Sequence, residues 1–335
     1  NDYWTGNWAK HYYQGDYMSE SAAKVKELDI DMDYSGTQDI SAWYLMTDMP
    51  INSSFNIIGG YRFEDTELGI DTDPETGVQW IVARDEFGRY YNENDLSKAN
   101  TTYKQSDVLP SIGFVFEPME SITLRGSYTE TVARQTFKEL SAAPQQEYLG
   151  GDVFIGNPDL RMSALKNYDL RLDFEPYEGG LFSMSYFFKD ITDPIEYIQG
   201  ITDFSFTTPV NYPKGEVSGY EFEVRQKLGH FFDRLEGISL GGNATFINSE
   251  VVLPQEEVEL FRTIGFPSTK RDMMNAPEHL YNIFLTYAME ETGTNLGLFY
   301  TIRGDTLIAG AGQADGYYIP NVYEKEFGTL NFSLS

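Results

Sequence analysis

Between Asn167 and Phe174 the chain reads Asn-Tyr-Asp-Leu-Arg-Leu-Asp-Phe, with apolar side chains on even positions and polar ones on odd positions. A period of two is what a β-strand with one apolar and one polar face produces. The alternation returns in Tyr220/Phe222/Val224 against Glu221/Glu223/Arg225, and in Ile238/Leu240/Ala244/Phe246 against Ser239/Asn243/Thr245. It returns again in Leu296/Leu298/Tyr300/Ile302, where Phe299 interrupts the polar row, and in Leu330/Phe332/Leu334. Nearer the N-terminus, Phe55/Ile57/Tyr61/Phe63 oppose Asn56/Gly60/Arg62/Glu64, and Ile122/Leu124/Tyr128 oppose Thr123/Arg125/Ser127/Thr129. Weaker examples run from Ile40 to Met46, Ile112 to Phe116, Phe182 to Phe188 and Tyr281 to Tyr287. The pattern predicts about eleven strands, most near the ~9–11 residues with which a tilted strand crosses a bilayer.

The connections alternate as well. Short ones, rich in Pro, Gly and Glu, lie at Met49–Asn52, Glu117–Glu120, Glu175–Gly180 and Glu290–Gly293, with a slightly longer one at Leu228–Leu235. Between them come long irregular stretches: Asp65–Thr101, Thr131–Ser163, Ile191–Lys214, Asn248–Asn275 and Asp305–Val322. In an up-and-down sheet, strict short/long alternation gathers every long loop at one end, as in an outer-membrane barrel. A soluble β-sandwich also alternates, but its turns recur every ~8–12 residues. Large aromatic side chains in the apolar rows, such as Tyr61/Phe63, Tyr186/Phe188, Tyr300 and Phe332, suit lipid and its interfacial girdles. The fold class expected is therefore an all-β, antiparallel, up-and-down transmembrane barrel.

Composition narrows the function. The 335 residues carry 24 Lys and Arg against 52 Asp and Glu, a net charge of −28, which argues against nucleic acid as a partner. There is no cysteine, hence no disulfide, thiolate metal site or thiol nucleophile. Mean hydropathy is only −0.40, yet 15% of residues are aromatic, which a disordered chain would not be. No apolar run approaches the ~18 residues of a membrane helix, and Asn1-Asp2-Tyr3-Trp4 does not open a signal peptide.

Several motifs then point to a family. Leu109-Pro110-Ser111, the run from Leu124 through Tyr128 to Arg134, and Phe137-Lys138-Glu139-Leu140 stand in that order. Gly156-Asn157-Pro158-Asp159-Leu160, Asn167–Leu170 and Tyr186–Ile191 follow them. Together, across Leu109–Ile191, they resemble the mid-barrel region of TonB-dependent outer-membrane receptors, closest to the subgroup associated with carbohydrate uptake. Gln135 and Met162 depart from the resemblance at positions where that family commonly has proline.

The resemblance implies a 22-stranded barrel filled by an N-terminal plug, with a TonB energy-coupling complex as partner through the plug. On that basis residues 1–36 are expected to be an outer loop or lead-in and residues 37–335 a partial barrel, the chain being a fragment from the middle and later part of a receptor. The function implied is energy-coupled uptake of a bulky, scarce nutrient such as an oligosaccharide or an iron-siderophore. The alternatives are a passive porin and a soluble carbohydrate-binding sandwich. The expected partners are the lipid bilayer and a small-molecule or oligosaccharide ligand.

No catalytic residues, metal site or cofactor are expected. Asp71-Thr72-Asp73-Pro74-Glu75 has carboxylates enough for calcium but lacks an EF-hand frame, and reads as a solvated loop. Gly310–Gly316 imitates a dinucleotide fingerprint with its third glycine misplaced and no helix to follow. His11, His230 and His279 have no nucleophile or base beside them; His230, beside Phe231-Phe232, is expected at the membrane interface. The candidate ligand-binding residues are the loop aromatics Trp80, Tyr90, Tyr91, Tyr148, Phe154, Tyr317 and Tyr318, whose rings could stack on a sugar or an aromatic chelate. Each could equally pack loop against loop. The family-motif positions are Arg134, Asn157, Pro158 and Asp159. Arg125 is expected to point inward, into the barrel's polar network or toward the plug.

Overall fold

The computed structural model describes residues 32–74, 78–85, 90–145, 153–201, 205–289, 292–314 and 317–335. Eleven strands pair antiparallel, each with its neighbour in sequence: β1 (Met32–Asn52), β2 (Phe55–Pro74), β3 (Thr101–Met119), β4 (Ile122–Ala133), β5 (Ser163–Phe174), β6 (Gly180–Thr192), β7 (Lys214–Lys227), β8 (Ile238–Val252), β9 (His279–Met289), β10 (Thr294–Arg303) and β11 (Phe327–Leu334). Among the described residues of this sheet, only the short strand Lys270–Arg271, added to β8, departs from this path. The short turns follow odd-numbered strands and the long loops even-numbered ones, so all long loops leave from one end of the sheet.

Some short turns need glycine. At Gly237, entering β8, φ is +78° and a Cβ would collide with the Ala288 carbonyl of β9, so no L-side chain fits without strain.

Registers place the apolar residues in bands across strands. Leu124, Leu172, Met184 and Phe222 stand side by side, as do Leu170, Tyr186, Tyr220 and Phe246. Above them run Tyr128, Tyr168 and Phe188, and above those Glu130, Lys166, Asp190, Glu216 and Glu250. The band from aliphatic through aromatic to charged follows the gradient from hydrocarbon to headgroup. These apolar side chains are exposed, Leu172 by 46% and Phe222 by 43%, and nothing in the described chain covers them.

The other face is polar and internally bonded. Arg125 and Arg171 are register partners and both engage Asp173, while Arg171 reaches on to Glu223 at 2.9 Å. Asn282 donates to Asn243 and accepts from Thr301, each at 2.8 Å. Arg125 thus lies in an inner polar network, as its position in the alternation demands. Phe299, out of phase in sequence, meets Phe284 on this same face.

Three strands run further than their alternation suggests, among them the one expected over Ile112–Phe116, which extends from Thr101 to Met119. The loop expected from Asp65 begins only after Pro74, and the strand expected over Ile40–Met46 is part of a 21-residue strand. The reason is a reversal of phase. Up to Phe63 the odd residues of β2 are apolar and outward; from Glu64 on, the even residues Glu64, Thr66, Leu68, Ile70 and Thr72 are the buried ones. Below this point the strand borders lipid; above it the strand packs as in a water-soluble protein, with its apolar face turned in.

Candidate functional site

The long loops fold into a canopy. Leu68 and Ile70 of β2 pack with Leu140, Leu160 and Met162 from the loop after β4. Its helix α1 (Phe137–Leu140) begins with a reciprocal capping box: Thr136 Oγ1 accepts from the Glu139 amide at 3.2 Å and Glu139 Oε2 accepts from the Thr136 amide at 2.7 Å. Both departures from the family pattern face Leu160. Gln135 Nε2 donates to the Leu160 carbonyl at 2.7 Å, and Met162 is buried beside the Leu160 side chain. A second cluster joins Ile198, Val210 and Tyr212 of the loop after β6 with Val251, Leu253 and Phe261, the last from α2 (Gln255–Thr263).

A chain of charges ties four loops together. Arg84 Nη2 lies 3.3 Å from Glu257 Oε1, and Tyr212 Oη donates to Glu257 Oε2 at 2.6 Å. The Arg271 guanidinium lies over the Tyr212 ring, 4.8 Å from its centre, and pairs with Glu196 at 2.6 Å. Glu196 also accepts from the Met274 amide, at 3.2 Å to Oε2. Tyr323, from the last loop, donates to Asp272 at 3.2 Å. Burial outweighs the neighbouring arginines and lifts the Glu196 and Glu257 carboxyls above the ordinary value. Burial likewise raises the Tyr212 phenol, which stays neutral and able to donate.

Beside this network lies a cleft of about 430 Å³ between the hairpin Ile81–Arg84/Tyr90–Glu93 and the segment 155–159. Tyr90, Tyr91, Arg84, Lys98 and Asn100 line one side and Asn157, Pro158 and Asp159 another. The motif segment is held firmly. The Asn157 amide donates to the Glu139 carbonyl at 2.6 Å, its side-chain Nδ2 to the Pro209 carbonyl at 3.1 Å, and its Oδ1 accepts from the Asp159 amide at 3.0 Å. Thr101 Oγ1 donates to the Pro158 carbonyl at 3.1 Å.

The structure therefore gathers Tyr90, Tyr91, Asn157, Pro158 and Asp159 around one opening. It does not bring the other candidates there. Phe154 is buried edge-on to Tyr197 with Lys138 over its ring. Tyr318 stacks on Phe266 at 4.2 Å, and Trp80 is half-buried outside the cleft lining. Tyr317 continues a strand pairing with Ala314, its side chain outside the described residues, as is the whole of Tyr148. Arg134 sits lower, paired with Glu64 and donating to Thr66 at 3.3 Å.

Sequence reasoning missed Arg84, Glu196, Tyr212, Glu257 and Arg271. Lone charges in polar loops carry no periodic signal, and only the fold reveals that these are buried. Of the acidic run, Asp71 and Thr72 bind Asn100 and the Ala99 carbonyl. No group of three metal-ligating side chains occurs among the described residues. His230 stacks on Tyr177 at 3.9 Å and His279 pairs with Glu326 at 2.9 Å.

A lipid-banded barrel wall with a folded, cleft-bearing canopy at one end defines a receptor-type membrane barrel. The family model "TonB dependent receptor-like, beta-barrel" matches residues 1–335, and the chain belongs to that family, whose barrels lie in the bacterial outer membrane. Similar solved structures include the siderophore receptor PiuA from Acinetobacter baumannii (TM-score 0.57, 12% identity, 90% of this chain and 37% of that one). The FrpB iron transporter from Neisseria meningitidis is another (TM-score 0.53, 15% identity, 89% of this chain and 38% of that one). In sequence, a probable hemoglobin and hemoglobin-haptoglobin-binding protein of Haemophilus influenzae is 19% identical over 242 residues, 61% of this chain and 24% of that protein. The chain thus spans well under half the length of these relatives, and identities this low carry the fold alone.

Proposed function

We propose that this chain supplies part of the barrel and much of the ligand-capturing canopy of a receptor for energy-coupled uptake of a bulky, scarce nutrient. The partial barrel takes in residues from Met32 on, five earlier than the boundary expected at 37; a plug elsewhere in the receptor contacts the TonB complex. The role is transport, not catalysis. The observation that carries the reading is the cleft shared by Tyr90, Tyr91 and the Asn157–Asp159 segment at the long-loop end. Two aromatic rings beside amide and carboxylate groups suit a ligand with flat faces and many polar substituents. The names of the similar structures favour an iron chelate ahead of an oligosaccharide.

The test is ligand binding by the full-length receptor, screened over ferric siderophores and oligosaccharides by calorimetry. Tyr91→Ala should weaken binding of the ligand found by roughly fivefold, the value of one stacked aromatic at about 1 kcal/mol, and slow growth on that nutrient equally. Unchanged affinity in both Tyr91→Ala and Asp159→Ala would remove the cleft from the capture site. Unsaturable flux independent of the energy-coupling complex would replace the receptor with a passive pore.

A further inference from the structure

The apolar face carries one indentation in its banding. In the row that runs Ile57, Phe114, Gly126, Leu170, Tyr186 across β2 to β6, Gly126 alone has no side chain. The Phe114 ring leans over it, into the space a Cβ would occupy. The result is a groove of about 440 Å³ walled by Phe55, Ile57 and Ile112 on one side and Tyr128, Tyr168 and Tyr186 on the other. It spans five strands, four spacings of about 4.8 Å or roughly 19 Å measured across the strands.

We propose that this groove seats a single acyl chain of a bilayer phospholipid, held as a persistent ligand of the barrel and not as exchanging solvent. The groove is continuous with the lipid-facing band on both sides, so an aliphatic chain is the occupant its chemistry and its surroundings admit. A groove lined by rings and aliphatic side chains gives a methylene chain contact on several sides, where a flat wall gives one. The upper end opens on the Tyr128–Tyr168 pair, whose ring centres are 5.0 Å apart. One row higher stands Lys166, exposed and in no ion pair among the described residues. A lipid whose tail lies in the groove brings its anionic phosphate to that ammonium. Glu130 and Asp190 flank Lys166 in register, so the head contributes less than the tail.

The experiment is native mass spectrometry of the full-length receptor, taken from vesicles of phosphatidylethanolamine and phosphatidylglycerol into detergent. One lipid should survive activation that strips all others. Ile57→Trp and Leu170→Trp, which fill the groove from opposite walls, should each abolish that adduct while the barrel keeps its heat-modifiable mobility. Lys166→Gln should retain the adduct, since the tail makes most of the contact. A wild-type receptor with no persistent adduct, or a folded Trp variant that keeps it, overturns the proposal. Nutrient binding is read separately, so neither result depends on the capture cleft.

Discussion

Arg271 is the residue whose loss should do most damage to the canopy. Its side chain is 8% exposed and that of its partner Glu196 is 1% exposed, so Arg271→Met strands a carboxylate away from water. Breaking one half of a buried pair costs about 3–5 kcal/mol. The guanidinium also lies over Tyr212, which connects through Glu257 to Arg84 in another loop. The opening equilibrium of the joined loops should therefore rise by roughly 10²–10³·⁵, at ~1.4 kcal/mol per decade. Hydrogen exchange on the full-length receptor reads this directly. The Gly310 amide, bonded to the Tyr197 carbonyl, and the Met274 amide should lose protection together, while amides of β5 and β6 keep theirs. The double variant Arg271→Met/Glu196→Leu should recover most of the loss, since an apolar pair of similar volume replaces a buried ion pair at little cost. If the single and double variants exchange alike, or if only residues 270–274 respond, the loops are not coupled through this pair and the reasoning fails.

Three further outcomes follow from the same geometry. Burial holds Glu196 and Glu257 above 4.5, so the folded canopy binds protons more tightly than unfolded loops and loses stability as pH rises from 4.5 through the raised values; canopy amides, corrected for intrinsic rates, should be better protected at pH 5 than at pH 8, Glu257→Gln should flatten the slope, and the opposite slope would contradict the burial argument. Leu172→Arg, in the aliphatic band, should destabilise the barrel by about 2–4 kcal/mol in urea titrations within lipid vesicles, whereas Arg225→Leu on the polar face should change stability by less than half of that; equal effects would mean the faces are misassigned. Thr136→Ala removes one half of the capping box on α1 and should cost about 0.5–2 kcal/mol, read as faster exchange at the Glu139 amide with the barrel unaffected.

The wall of the barrel was legible because lipid enforces a period of two over every crossing, and eleven crossings repeat it. The extents of β1 and β2 were not, because apolar residues such as Leu68 and Ile70 change face once the strand leaves lipid, and a pattern that reverses phase reads as its own end. The canopy was half legible. Asn157-Pro158-Asp159 shows as a turn motif, and Tyr90 and Tyr91 show as aromatics in a loop. Nothing in the local sequence separates them from Phe154 or Tyr318, which have the same chemistry but spend it on packing. Which ring faces a cleft depends on loops from distant parts of the chain meeting, and the pairs that make them meet, Arg84–Glu257 and Arg271–Glu196, are 173 and 75 residues apart.

The change of phase at Glu64 works as a waterline written into a single strand. Residues beyond it answer to the rules of aqueous proteins, so a peptide tag or a foreign hairpin grafted past Asp65 need satisfy only those rules, while any graft below it must be greasy toward the bilayer. A receptor built this way can exchange its outer crown for a new one, leaving the embedded staves untouched.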